Sequence, residues 1–256
     1  MNKAEVINYL HKKLSFSKES TKKLETYENM LLDYNKRYNL IAKSTEVNLW
    51  ERHILDSAQI IKYLPTNTKE ISDLGSGAGL PGVILSIYDR NNTFHVKLYD
   101  KSSVKRQFLN KVLKKLDLNF EVKKNIYEDD LDSDVIVARA FKKLPEILRI
   151  SREIIKKPHK LIILKGKDAQ SAINKVSMTQ NYSYKVHKSV TDIDSRILII
   201  EKDKERSFKL LKNSYNDLEV KGIYDTYDLA EFLKNNEQFE ESIYYYTNIL
   251  SEIDYK

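Results

Sequence analysis

The sequence predicts an α/β protein: a doubly wound, mostly parallel seven-stranded sheet with helices at its N-terminus and a helical appendage at its C-terminus. Three observations carry this. Short apolar runs of β type alternate with amphipathic helical runs from residue 70 to residue 201. The first 64 residues show helical spacing without such runs. Four of the six glycines fall in 75–82, directly after the first strand-like run.

Residues 4–14 and 18–40 carry apolar side chains at helical spacing, for example Leu24, Tyr27, Leu31 and Tyr34. A third helical stretch, 45–63, brings Leu49, Trp50, Ile54, Leu55 and Ala58 before Pro65 closes it. Strands are expected at 70–74, 94–99, 119–123, 134–138, 161–164, 183–187 and 196–201. Helices are expected at 81–89, 102–116, 141–157 and 168–180. Helices of that length between strands imply parallel crossovers, whereas the last two strands have no clear helix between them and suggest an antiparallel edge. Residues 203–256 are acidic and tyrosine-rich, with Leu229, Ala230, Leu233, Phe239, Ser242, Tyr246 and Ile249 spaced like one tetratricopeptide-type helical hairpin. A single repeat cannot bury its own apolar face, so this hairpin must dock on the body, on a second copy or on a protein partner. The chain thus reads as an N-terminal helical extension (1–66), an α/β domain (67–202) and an acidic hairpin (203–256).

At 256 residues the chain can bury a sizeable core, and 41% hydrophobic with 32% charged residues is a globular balance. The absence of cysteine excludes disulfides, cysteine-rich zinc sites, iron–sulfur clusters and thiolate nucleophiles. No metal is expected. No run approaches the roughly 18 apolar residues of a membrane span, and Met1-Asn2-Lys3-Ala4-Glu5-Val6 does not open an apolar signal core. The expectation is a soluble cytoplasmic protein. The formal charge is +7, divided between −4 in 206–256 and +11 in 1–205. A basic body points to a polyanion such as nucleic acid, although a lysine-rich solvated surface accounts for the same charge.

The stretch Ile71 through Gly82 reads as a strand end followed by a glycine loop and a helix, with Pro81 suited to the helix's first turn. Such a loop makes a flat peptide floor for a ligand. Gly77-Ala78-Gly79-Leu80-Pro81-Gly82 also fits the dinucleotide pattern G-x-G-x-x-G, and Asp100 stands 23 residues past Gly77 at a strand end. The glycines alone therefore leave open a methyl-donor site, a dinucleotide site and a plain structural turn. With Asp73 the segment becomes Asp-Leu-Gly-Ser-Gly-Ala-Gly, which resembles the first motif of the class I, Rossmann-like S-adenosylmethionine-dependent methyltransferases. That resemblance implies Asp73 near the ammonium of the cofactor's methionine end and Asp100 accepting from its ribose hydroxyls.

Absences narrow the target. Methylation at carbon 5 of a pyrimidine needs a cysteine, and there is none. Exocyclic-amine methylation uses an Asp/Asn-Pro-Pro-aromatic loop after the fourth strand, where this chain reads Val137-Ala138-Arg139-Ala140-Phe141. A purine ring nitrogen such as guanine N7 needs neither covalent activation nor proton removal, only alignment of its lone pair behind the methyl group.

Asn35 through Ala42, Glu51-Arg52-His53-Ile54-Leu55-Asp56-Ser57, Asp73 through Gly82, Ala138 through Phe141 and Leu164-Lys165-Gly166 follow one another in the order and spacing of one family. Over residues 25–202 the chain resembles the bacterial 16S ribosomal RNA guanine-N7 methyltransferases of the RsmG (GidB) family. The resemblance implies S-adenosylmethionine as cofactor and 16S RNA, or the small ribosomal subunit, as partner. It places Asp73, Gly75, Gly77, Gly79, Leu80 and Asp100 against the cofactor. It puts Arg139 and Lys165 at the ends of the fourth and fifth strands as catalytic and substrate-binding residues, Arg139 also bordering the cofactor. Arg52, His53 and Asp56 would line the cofactor or RNA cleft, Arg52 and His53 as substrate-binding residues, or else dock the helical N-terminus on the sheet. Near the adenine the family shows Arg-x-Glu, where this chain reads Asn125-Ile126-Tyr127-Glu128; Ile126, Tyr127 and Glu128 take that place with the acid shifted by one residue.

The residues also admit structural roles. Arg139 can be an ion-pair residue, Lys165 can cap a turn with Gly166, and Arg52 and Asp56, at i and i+4, can pair on one helix face. Trp50 reads as core. A nucleotide-dependent oxidoreductase and a noncatalytic adaptor recruiting protein through 203–256 stand as alternatives; retention of NAD or tritium transfer to RNA separates them.

Overall fold

The computed structural model describes residues 1–88, 93–128, 132–155, 158–167, 169–177 and 182–202. The chain divides into two units, Met1–Met178 with Tyr184–Glu201 and Thr179–Ser183 with Lys202–Lys256. The glycine loop belongs to the first. The hairpin expected at 203–256 lies outside the described residues.

Seven strands form one sheet: β1 (Glu70–Leu74), β2 (His95–Tyr99), β3 (Phe120–Lys123), β4 (Val135–Arg139), β5 (Lys160–Lys165), β6 (Tyr182–Lys188) and β7 (Arg196–Lys202), in the order β3-β2-β1-β4-β5-β7-β6. The pairs β1–β2, β1–β4, β2–β3 and β4–β5 are parallel. β7 is antiparallel to β5, with Leu161 opposite Ile200 and Leu164 opposite Ile197. The expected antiparallel pair therefore sits at the edge, with β6 outermost. Val135, Ile136, Val137 and Ala138 of β4 are all buried, as are Leu161 through Leu164 of β5, the continuous apolar runs that a sheet covered on both faces demands. Because these strands run in parallel, Leu74, Tyr99, Arg139 and Lys165 all end at one side of the sheet. Strand order reverses between β1 and β4, which places the ligand crevice of a doubly wound sheet there.

The N-terminal helices are α1 (Lys3–Leu14), held by a capping box between Asn2 and Glu5, and α2 (Lys18–Asn35), capped by Ser17. Their stripes Val6, Leu10, Leu24, Tyr27 and Leu31 join the same buried cluster as Ile71, Val96 and Val137 of the sheet. α2 stops at Asn35 rather than running to 40. The Asn35 side chain explains this: Oδ1 accepts from Leu40 N at 2.6 Å and Ile41 N at 3.0 Å, while Nδ2 donates to the Ile41 carbonyl at 3.1 Å, pinning the loop.

The single helix expected at 45–63 is instead broken into four pieces. A 3-10 turn (Lys43–Asn48) precedes a π-helical turn (Trp50–Leu55), then the three-residue α3 (Asp56–Ala58) and a second 3-10 turn (Gln59–Tyr63). Asp56 N bonds back to the Glu51 carbonyl, five residues earlier. Further on, α4 (Gly82–Tyr88), α5 (Ser103–Leu116), α6 (Leu144–Ile154) and α7 (Ala169–Ser177) connect the strands. Pro81 lies just before α4 rather than inside it, and α6 starts three residues later than expected, with Pro145 in its first turn. Among the described residues no helix is long and apolar enough to cross a membrane.

Candidate active site

The loop after β1 is built by backbone conformations that only glycine adopts cheaply: φ is +74° at Gly75, +60° at Gly77 and +94° at Gly79. Gly75 N and Ser76 N both donate to the Tyr99 carbonyl, at 2.9 and 3.0 Å, tying the loop to the end of β2. From the other side, the buried Tyr27 hydroxyl of α2 donates to the Ala78 carbonyl at 2.9 Å.

The expected bare floor is bare at one place only. A Cβ on Gly75 would lie 2.3 Å from the Phe141 ring, one on Gly79 2.3 Å from Val83, and one on Gly82 2.2 Å from Leu98, so the protein's own side chains fill those three positions. At Gly77 the nearest group is the Gly75 carbonyl at 3.8 Å. Gly75, Gly79 and Gly82 thus allow close packing, and Gly77 leaves room for a ligand. Leu80 is buried.

Two carboxylates hold the loop, Asp100 at Gly77 and Asp73 at Gly82. Asp73 is fully buried at the end of β1, where Oδ2 accepts from Gly82 N at 2.9 Å and Oδ1 has no hydrogen-bond partner among the described residues. Burial pushes its pKa up to about 7, with the Gly82 N–H opposing the shift. Asp100, after β2, accepts from Gly77 N through Oδ2 at 2.9 Å and from Ser102 N through Oδ1 at 2.8 Å. An orphaned buried carboxylate oxygen at the start of a loop with an open glycine fits a cationic ligand with an ammonium, and the second carboxylate retains lone pairs for hydroxyl donors. These residues fit S-adenosylmethionine.

Arg139 emerges from β4 toward the same place, close enough for its charge to act on both Asp73 and the buried Tyr27 hydroxyl. Its Nε donates to Asp56 Oδ2 at 2.9 Å and its Nη2 to the Arg52 carbonyl at 2.8 Å. The i, i+4 pair expected between Arg52 and Asp56 is absent, because the π-turn alters the helical spacing and each residue finds a tertiary partner. Arg52 Nη1 instead meets Asp192 Oδ2 at 2.7 Å. His53 is buried, its Nε2 sits 2.7 Å from Thr45 Oγ1, and Nδ1 has no partner. Burial and the nearby Arg139 and Arg52 push its pKa down to about 4, so the ring is neutral at pH 7. Lys165 Nζ donates to the Lys142 carbonyl at 2.8 Å, beside Phe141. After β3, Ile126 is buried, whereas Tyr127 is exposed with its hydroxyl 3.4 Å from Glu153; the side chain of Glu128 lies outside what is described. Trp50 is buried.

Sequence reasoning placed Asp56 in the cleft cluster without naming its partner, and did not assign Tyr27 or Phe141 to the site. Tyr27 looked like core, and only tertiary contact reveals its hydroxyl on the glycine loop. Phe141 stood in a quoted motif, but nothing in the motif says that its ring fills Gly75.

The family model for rRNA small subunit methyltransferase G (GidB) matches residues 20–200. The chain is 40% identical over 207 residues to ribosomal RNA small subunit methyltransferase G of Pelagibacter ubique, an alignment covering 78% of this chain and 97% of that one. The corresponding proteins of Orientia tsutsugamushi (strain Ikeda) and Rickettsia rickettsii (strain Sheila Smith) are 34% identical over 198 residues and 33% over 182, covering 77% and 71% of this chain and 98% and 93% of theirs. The matched residues span the glycine loop, both carboxylates, the π-turn and Arg139, and set aside the oxidoreductase reading. With this sheet order and this loop, the chain belongs to the rRNA small subunit methyltransferase G family and has the class I, Rossmann-like methyltransferase fold.

Proposed function

We propose that this chain transfers a methyl group from S-adenosylmethionine to N7 of a guanine in 16S ribosomal RNA, acting in the cytoplasm on the RNA of the small ribosomal subunit. The observation that carries the reading is the open Gly77, its N–H held by Asp100, in a loop that starts at buried Asp73, whose Oδ1 is unpartnered among the described residues, in a chain of this family. S-adenosylmethionine supplies an electrophilic methyl on a sulfonium. The chain's own part is binding and alignment. Asp73 Oδ1 receives the ammonium, Asp100 the ribose hydroxyls, and Gly77 leaves the space between them. Ile126, Tyr127 and Glu128 border the adenine. N7 attacks with an in-plane lone pair, so no base is required; the purine must be held in line. Arg139 meets its O6/N7 edge or a neighbouring phosphate, and Lys165 and Arg52 add positive charge for the RNA backbone. His53 lines the cleft as a neutral, buried ring and adds no charge there. The acidic segment 203–256 is a poor RNA surface and takes either a protein partner or the body itself.

Tritium transfer from labelled cofactor to unmodified 16S RNA, followed by mapping of the labelled nucleotide, tests the reading. Label on a guanine N7 is the expected result; label elsewhere or none overturns it. Gly77→Asp fills the open position with bulk and a third carboxylate, so calorimetry should show cofactor binding lost, and undiminished binding would remove Gly77 from the site.

A further inference from the structure

Three elements meet at the carboxylate of Asp56, the partner of Arg139. Oδ2 accepts from Arg139 Nε at 2.9 Å. Oδ1 accepts from Gln59 Nε2 at 2.9 Å and from Thr191 Oγ1 at 3.1 Å. Arg139 makes one more protein bond, from Nη2 to the Arg52 carbonyl. Together these two bonds fill the side edge of the guanidinium, made of Nε–H and the neighbouring Nη2–H. The end edge, Nη1 with the second Nη2 hydrogen, has no protein partner among the described residues. An arginine side chain is long and rotatable, but one held along its side edge has a single plane and a single heading. Its free end edge still carries the spacing for two parallel hydrogen bonds to a purine O6/N7 edge or a phosphate.

The turn between β6 and β7 locks the carboxylate from behind. Gln59 accepts from Val190 N at 2.9 Å and donates to Ser189 Oγ at 2.9 Å, next to the Thr191 bond. The breaks in the 43–63 segment acquire a purpose in this light. The π-turn sends Asp56 to Arg139 and frees the Arg52 carbonyl for the same guanidinium.

We infer that Asp56 is a positioning residue for RNA methylation, acting through Arg139 by fixing the guanidinium so that its end edge faces the target nucleotide. This rests on the reading of Arg139 as the residue that meets the RNA. The test is a double-mutant cycle on the full chain with Asp56→Ala, Arg139→Ala and the pair, reading single-turnover methylation of unmodified 16S RNA and cofactor affinity by calorimetry. Asp56→Ala should slow methylation by about tenfold or more, the scale of a lost charge-assisted hydrogen bond, while cofactor affinity stays within about twofold. In the Arg139→Ala background it should cost nothing further. An equal loss in both backgrounds overturns the inference, since a structural role would not depend on Arg139, and so does full activity of Asp56→Ala. Undiminished methylation by Arg139→Ala overturns the reading of Arg139 itself, a distinct result. Should Asp56→Ala fail to fold, the isosteric Asp56→Asn replaces it in the same cycle. Thr191→Val, which removes one bond to Oδ1, should show a smaller loss with the same dependence on Arg139.

Discussion

Asp73 is held in a state that costs stability at neutral pH. An ordinary carboxylate ionises near 3.8, and burial moves this one to about 7. The folded protein therefore binds a proton that the unfolded chain releases between those values. The group's contribution to stability is fully present below pH about 4 and is lost progressively as pH rises to about 7, amounting to a few kcal/mol in order of magnitude. Asp73→Asn keeps the bond from Gly82 and removes the charge. Thermal melts should show the variant more stable than the parent at pH 8, with the gap closing toward pH 4. A gap independent of pH would refute the ionisation of Asp73 as its cause. Cofactor binding should move the other way: weakened severely in the variant, and in the parent tightening as pH rises through about 7, because an ammonium ligand favours the ionised acid.

At the scale of elements, the glycine loop is clamped by neighbours that sequence order does not reveal. α2 holds it through the Tyr27 hydroxyl, β2 through the Tyr99 carbonyl, and the segment after β4 covers it with the Phe141 ring. The four glycines consequently differ in what they tolerate. Gly75→Ala would meet both a left-handed backbone and a ring 2.3 Å away. It should destabilise the protein by about 1–3 kcal/mol in chemical denaturation. A Gly75→Ala variant as stable as the parent would show that Phe141 moves aside freely. The 43–63 segment was legible as helical and apolar from Leu49, Trp50, Ile54 and Leu55. Its π-turn was not, since the partners that Arg52 and Asp56 meet there, Asp192, Arg139 and Thr191, are all more than 80 residues away.

Over the whole molecule, charge sets how RNA is met. The net +11 of residues 1–205 gives affinity that counterion release makes salt-sensitive. Binding of 16S RNA should weaken steeply with salt, by roughly 10³-fold or more between 50 and 200 mM if six or more phosphates are engaged. A flat salt response in filter binding would argue against a phosphate-dominated surface. Cofactor affinity, on the proposed reading of Asp73 and Asp100, should change far less over the same range.

The sequence by itself determined the strands and crossovers, the place of the glycine loop and the family, because these rest on local quantities: apolar period, backbone freedom at glycine, and motif spacing along one chain. Asp73, Gly77 and Asp100 belong to that legible part. The tertiary structure alone decided which glycine stays open, that Phe141 fills Gly75, and that Arg52 and Asp56 part company for Asp192 and Arg139. Each of those outcomes is a competition between a near neighbour in sequence and a distant one in space. At Asp56 the part-buried bonds from Arg139, Gln59 and Thr191 together outweigh the few tenths of a kcal/mol, roughly, of a helical i, i+4 pair.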